Sequence, residues 1–120
     1  MSIKEMIMKR NLKIAVNTLA ISAIASLGLM STTALAQAGA DLSQKNGCMA
    51  CHGVDKKILG PGFKDIAKKY KGNATAVATL TKKVKEGGSG TWGAIPMPPN
   101  GPKVNDADIK TMVEYILALN

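Results

Sequence analysis

The sequence predicts an all-α domain of about four short helices carrying one long Pro/Gly-rich loop. Three observations lead there. Beyond residue 36 no alternating run of β-branched residues extends past a few positions. Apolar residues recur instead at i, i+3 and i+4. The stretch 87–104, GGSGTWGAIPMPPNGPKV, is too rich in Gly and Pro for a helix or a central strand.

Taken in order, a first helix is expected from about Asp41, as N-cap, to Gly47. Gly60-Pro61-Gly62 breaks the chain, and Phe63 to Lys71 reads as a helix stopped by Gly72. Phe63, Ile66, Ala67 and Tyr70 share one of its faces. Asn73 is the expected cap of a third helix running to about Glu86, with Val77, Leu80 and Val84 as its apolar stripe. Gly87-Gly88 ends it. The loop that follows is long enough to suggest a functional role or an internal partner to wrap. Asn105 then caps a last helix, buried along Ile109, Met112, Val113, Ile116 and Leu119.

The N-terminal part reads differently. Lys4, Lys9, Arg10 and Lys13 precede a mostly apolar run from Ile14 to Met30, and small residues follow it. This is the pattern of a cleavable secretory signal peptide. A permanent anchor is the competing reading, but the run contains Asn17, Thr18, Ser22 and Ser26 and is short for a span of roughly 20 apolar residues. Cleavage after Ala36, Ala38 or Ala40 satisfies the small-x-small rule; the cut after Ala36 is favoured, giving a leader 1–36 and a domain 37–120. The mature chain keeps 12 basic and 7 acidic residues of the 16 and 8 in the full chain, a balance of +5. Exported, it would be periplasmic, with no stable membrane insertion.

A domain of this size struggles to fill its own core. Phe63, Tyr70, Trp92 and Tyr115 are its only aromatics. A large, flat, apolar cofactor would supply the missing volume. Cys48-Met49-Ala50-Cys51-His52 is the C-x-x-C-H attachment signature for c-type haem. Two thiols three residues apart on a helical turn lie on one side, where both reach the vinyl groups of one porphyrin. His52, the only histidine of the chain, then turns its imidazole onto the iron. Zinc wants four Cys or His ligands and only three exist; a thioredoxin-like pair needs a βαβ context; a short-range disulfide stays open in an exported protein.

A metal-ligating His needs an acceptor for its other ring nitrogen. The Pro61 carbonyl is one candidate, with Pro61 as a mere chain breaker the alternative. For the sixth position a soft Met donor remains. Met49 sits inside the attachment turn and Met112 on an apolar stripe, so Met97, stiffened by Pro96 and Pro98, is favoured over a Met that merely packs. His52 and Met97 are thus the expected metal ligands.

From about Asp41 to its end the chain resembles a short bacterial class I cytochrome c, the monohaem family that donates electrons to periplasmic nitrite reductases and terminal oxidases. The CMACH turn, the GPGF segment, the WGAIPMPPN loop and the amphipathic C-terminal helix occur in the family's order. The resemblance implies the small cytochrome c fold, its helices wrapped around one covalent haem c. It implies His52 as proximal and Met97 as distal ligand, with Pro61 accepting from His52. Asn100 would hydrogen-bond near the Met97 sulfur, Trp92 would donate to a buried propionate, and Lys83 stands where a basic partner of that propionate is expected, often arginine. The first helix departs from the family in offering Leu42 and Ser43 where many relatives have an aromatic, so Tyr115 is expected against Leu42.

The implied activity is electron transport in a respiratory chain by a monomer, not an enzyme. A gas sensor or peroxidase needs an open distal position, and no distal His or acid–base pair is present. Lys56, Lys57, Lys82, Lys83 and Lys85 either steer docking of redox partners or form a solvated face; without interleaved aromatics they do not suggest nucleic acid.

Overall fold

The computed structural model describes residues 32–119, and the chain divides into two compact units, Met1–Ala34 and Leu35–Asn120. The second unit is the one described below. The expected leader falls largely outside the described residues. Among the described residues no helix is long and apolar enough to cross a membrane.

Helix α1 covers 35–45 of this unit. It starts well before Asp41, which therefore lies mid-helix and accepts from Gln37 Nε2 at 2.9 Å rather than acting as an N-cap. Ala36, Ala38 and Ala40 are strong helix formers and sustain the earlier turns. Gly47, with φ +75°, turns the chain left-handed before a one-turn 3-10 helix, Cys48–Ala50. Helix α2 spans Phe63–Lys69 with Tyr70 as its C-cap, two residues short of the expected Lys71 end.

Helix α3 spans Ala76–Glu86. Asn73 is not its N-cap proper. Its side chain accepts from the Thr75 N–H and hydroxyl, both at 2.8 Å, forming a turn that delivers the chain to the helix. The 87–104 stretch holds a small antiparallel hairpin, β1 Gly88–Gly90 and β2 Gly93–Met97, pairing Gly88 with Met97 and Gly90 with Gly93. Pro96 is tolerated because β2 has only one neighbour. Helix α4 spans Asp106–Leu117, and Asn105 caps it as expected, its Oδ1 accepting from the Asp108 N–H at 2.9 Å.

Helix α4 packs against both α2 and α3. The core is Phe63, Ile66, Leu80, Val104, Ile109, Met112 and Val113, with Leu42, Val77, Val84, Tyr115 and Ile116 packed around it. The first and last helices cross at Gly39, one turn before the contact expected at Leu42. A side chain there would run into Tyr115 and the Thr111 carbonyl. Ser43, 1 % exposed, satisfies its hydroxyl on the Gly39 carbonyl at 2.8 Å, which makes a buried polar residue acceptable at this crossing.

Asn105→Ala removes the side-chain cap of α4 and is expected to destabilise the protein by about 1 kcal/mol, read from the denaturation midpoint.

Candidate functional site

Cys48, Cys51 and His52 come together because a single turn carries them. The Cys51 and His52 amides donate to the Cys48 carbonyl at 3.2 and 3.0 Å, which winds the segment tightly. The chain then doubles back on itself. Leu59 and Gly60 N–H donate to the Cys51 carbonyl at 3.1 and 2.8 Å, and Phe63 N–H donates to Gly53 at 2.9 Å. This return brings the Pro61 carbonyl to 2.8 Å from His52 Nδ1. A carbonyl only accepts, so Nδ1 carries the proton and Nε2 keeps its lone pair for a ligand.

Two neighbours hold the ring plane. Phe63 stacks on it at 5.6 Å between centroids with 25° between planes. Gly60 lies against its edge, where an added Cβ would stand 2.5 Å from Cε1 and 2.9 Å from Nδ1. Glycine is required at 60 by this close approach, not by its backbone angles.

These groups face a cavity of about 330 Å³ with a predominantly apolar lining. Cys48, Cys51 and His52 line it from the attachment turn, Pro61 and Phe63 from the start of α2, Leu80, Lys83 and Val84 from α3, and Met112, Val113 and Ile116 from α4. Trp92, Met97 and Asn100 line it from the hairpin loop. The structure thus brings all eight expected site residues to one cavity. Cys48 and Cys51 form no disulfide with each other. Burial pushes the Cys48 thiol above its ordinary pKa, a backbone hydrogen bond opposes this, and repulsion from Cys51 adds to it.

Asn100 is placed differently from the expectation. Its side-chain amide donates to Pro98 O at 3.0 Å and to Val84 O at 3.3 Å, and its backbone N–H also donates to Val84 O. Its amide protons therefore go to carbonyls rather than to the Met97 sulfur, and it staples the loop to the end of α3. Gly87, with φ +73°, lets that end of α3 close against the Met97 carbonyl and the Pro98-Pro99 backbone. Lys83 brings its ammonium beside Gly88 at the base of the hairpin. Trp92, 40 % exposed, has the Lys69 Nζ over its ring at 5.1 Å from the centroid. In the sequence Gly60 stands out only as part of the chain-breaking Gly-Pro-Gly run, and nothing local marks Lys69.

The donor set suits a haem. Two free thiols and an imidazole with its Nε2 lone pair free share one apolar cavity with a methionine thioether, while Trp92 and Lys83 supply polar groups at its border. Among the described residues no cluster of three His, Cys, Asp or Glu is arranged to hold a bare metal ion.

Comparison with known proteins places this arrangement. A model of the cytochrome c family matches residues 36–120. Cytochrome c-552 of Nitrosomonas europaea is 50 % identical over 98 residues, covering 78 % of this chain and 94 % of the relative. Cytochrome c-551 of Azotobacter vinelandii is 47 % identical over 81 residues, covering 68 % of this chain and 96 % of that protein. The crystal structure of wild-type Nitrosomonas europaea cytochrome c552 matches with a TM-score of 0.65 and 52 % identity, covering 68 % of this chain and 99 % of the other.

Gly60→Ala drives a methyl group into the imidazole. Haem loading of the matured protein, read as the ratio of haem to protein absorbance, is expected to fall roughly 10-fold; unchanged loading would mean the ring moves aside freely.

Proposed function

This chain belongs to the cytochrome c family, with one covalently attached c-type haem, and from that premise we propose that it is a periplasmic shuttle in which His52 and Met97 would be the two protein ligands of the iron. Its relatives are small electron-carrier cytochromes, not enzymes. The observation that carries the finer reading is the placement of His52 and Met97 on one cavity from two independent elements, each with its backbone pinned.

When bound, the haem supplies one-electron exchange at its iron. The chain's own residues keep that exchange cheap in structural change. Cys48 and Cys51 would hold the ring by thioether bonds, and His52 would offer Nε2 while its Nδ1–H donates to the Pro61 carbonyl. The basicity of the imidazole rises through that hydrogen bond. Met97 offers a soft sulfur from a strand end flanked by Pro96 and Pro98, which limits the backbone freedom lost on ligation. Trp92 and Lys83 offer an indole N–H and an ammonium to the propionates. Lysine does so as a point charge rather than as a planar fork.

His/Met ligation in an apolar pocket favours the reduced state relative to two histidines. The leader 1–36, cut after Ala36, exports the domain 37–120, which works in the periplasm as a monomer. Its partners are redox proteins, an upstream donor and a reductase or terminal oxidase in a respiratory chain. They dock transiently through a small interface steered by Lys56, Lys57, Lys82, Lys83 and Lys85.

The matured protein is expected to show a low-spin spectrum with the near-infrared Met–iron charge-transfer band and no response of the reduced form to carbon monoxide. A high-spin spectrum that shifts with carbon monoxide would replace the shuttle with a gas or peroxide function. Met97→His is expected to retain the haem and lower the midpoint potential by on the order of 0.1 V, within the roughly 0.8 V that axial ligands span; an unchanged potential would exclude Met97 as ligand. Electron-transfer rates with an acidic partner should fall severalfold as ionic strength rises from about 0.01 to 0.15 M, and a flat dependence would remove lysine steering.

A further inference from the structure

The hairpin is fastened very unequally at its two ends. Its base is held by the Asn100 hydrogen bonds to Val84 and by the close approach of Gly87 to the Met97–Pro99 backbone. Its tip, Thr91-Trp92, lies between Gly90 (φ +107°) and Gly93 (φ +122°), and neither glycine has any atom within contact of where a Cβ would stand. Every residue from Gly88 to Pro96 is exposed. A lone two-stranded hairpin is marginally stable in water, so this tip needs an outside anchor to stay in one place. Trp92 nonetheless lines the cavity.

The anchor is on another element. Lys69, in the last turn of α2, carries its ammonium over the Trp92 ring at 5.1 Å from the centroid. A cation at that distance over an indole face is attracted by the ring quadrupole, and Trp is the strongest aromatic partner for it. The position favours a cation further, because the C-terminal carbonyls of α2 carry the negative end of the helix dipole. Lys68 beside it has the same charge and exposure but no such contact is made by it.

We propose that Lys69 is a positioning residue: by capping the Trp92 ring it holds the hairpin tip closed at the cavity mouth and fixes where the indole N–H is offered to the haem propionates. The role rests on the haem reading above. It acts through Trp92 and touches no ligand of the iron. Loss of the contact frees the tip, admits water to the propionate edge and favours the more highly charged oxidised state.

Trp92 is the only tryptophan of the chain, so one indole N–H signal in the spectrum of the reduced, haem-loaded protein reports on it. Its hydrogen exchange and the midpoint potential are to be measured for Lys69→Met, Lys69→Arg and Lys68→Met. Lys69→Met should raise indole exchange about two- to fivefold, the range set by a cation–π contact at an exposed site, and should lower the potential. Lys69→Arg should restore both, since a guanidinium also stacks on the ring. Lys68→Met, with the same loss of charge, should leave indole exchange at the parent rate and move the potential less. Unchanged exchange in Lys69→Met, or an equal response in Lys68→Met, would overturn the positioning role while leaving the haem reading intact. A parent protein that carries no haem would overturn both.

Discussion

The hydrogen bond between His52 Nδ1 and the Pro61 carbonyl is the constraint around which this domain is organised. One acceptor-only oxygen at 2.8 Å sets the tautomer, and the tautomer leaves Nε2 open towards the cavity. For that oxygen to arrive, the ten residues from His52 to Pro61 must turn back on the attachment segment. They do so through paired amide donations to the Cys51 carbonyl and through Phe63 to Gly53. Phe63 then serves two ends at once. It stacks on the imidazole and meets Tyr115 edge-on at 6.4 Å with 88° between planes, so the ring that orients the histidine is also the link to the last helix.

The same economy explains the small core. Phe63, Ile66, Leu80, Met112 and Val113 belong to the buried cluster and also line the cavity. The inner wall of the core is therefore the wall of the haem site. A domain of this size buries too little apolar surface by itself, and the covalent haem of the family fills the space that side chains of a larger protein would occupy. Binding and folding draw on one set of contacts, so a ligand that binds only the folded chain stabilises it by mass action, and a thioether-bound one cannot dissociate.

The Met97 side of the cavity solves a different problem. Met97 ends the short strand β2, yet its backbone is fixed by neighbours rather than by a long ladder. Gly87 permits a contact that any side chain would obstruct, Asn100 ties the far end to Val84, and the flanking prolines limit the remaining freedom. The result is a thioether whose backbone has little room to move, which is what the proposed ligation requires of an electron carrier. Surface ion pairs add little to this: Lys85–Asp106, at 2.8 Å, links α3 to α4 but both partners are about half exposed or more.

Much of the fold and the attachment chemistry was legible before any coordinates, because the controlling signals are local. Helix periodicity, the Asn105 cap, the glycine stops and the Cys48-Met49-Ala50-Cys51-His52 spacing depend on residues within one or two turns of each other. Boundaries were less secure where local rules compete: Asp41 has the chemistry of an N-cap, but alanines before it extend α1 past it, and Asn73 makes a turn ahead of α3 instead of the cap itself. The remaining features needed the tertiary structure, since each joins residues far apart in sequence. Gly39 is required only because Tyr115 crosses it, Gly60 only because the chain returns to His52, and the Asn100 amide turns to Val84 only because the end of α3 lies beside the loop. Lys69 looks like any lysine at a helix end until folding sets it over Trp92. The sequence by itself determined which residues can bond a haem and which segments are helical; contact across the fold decided what orients them, because orientation is supplied by partners that no spacing rule brings together.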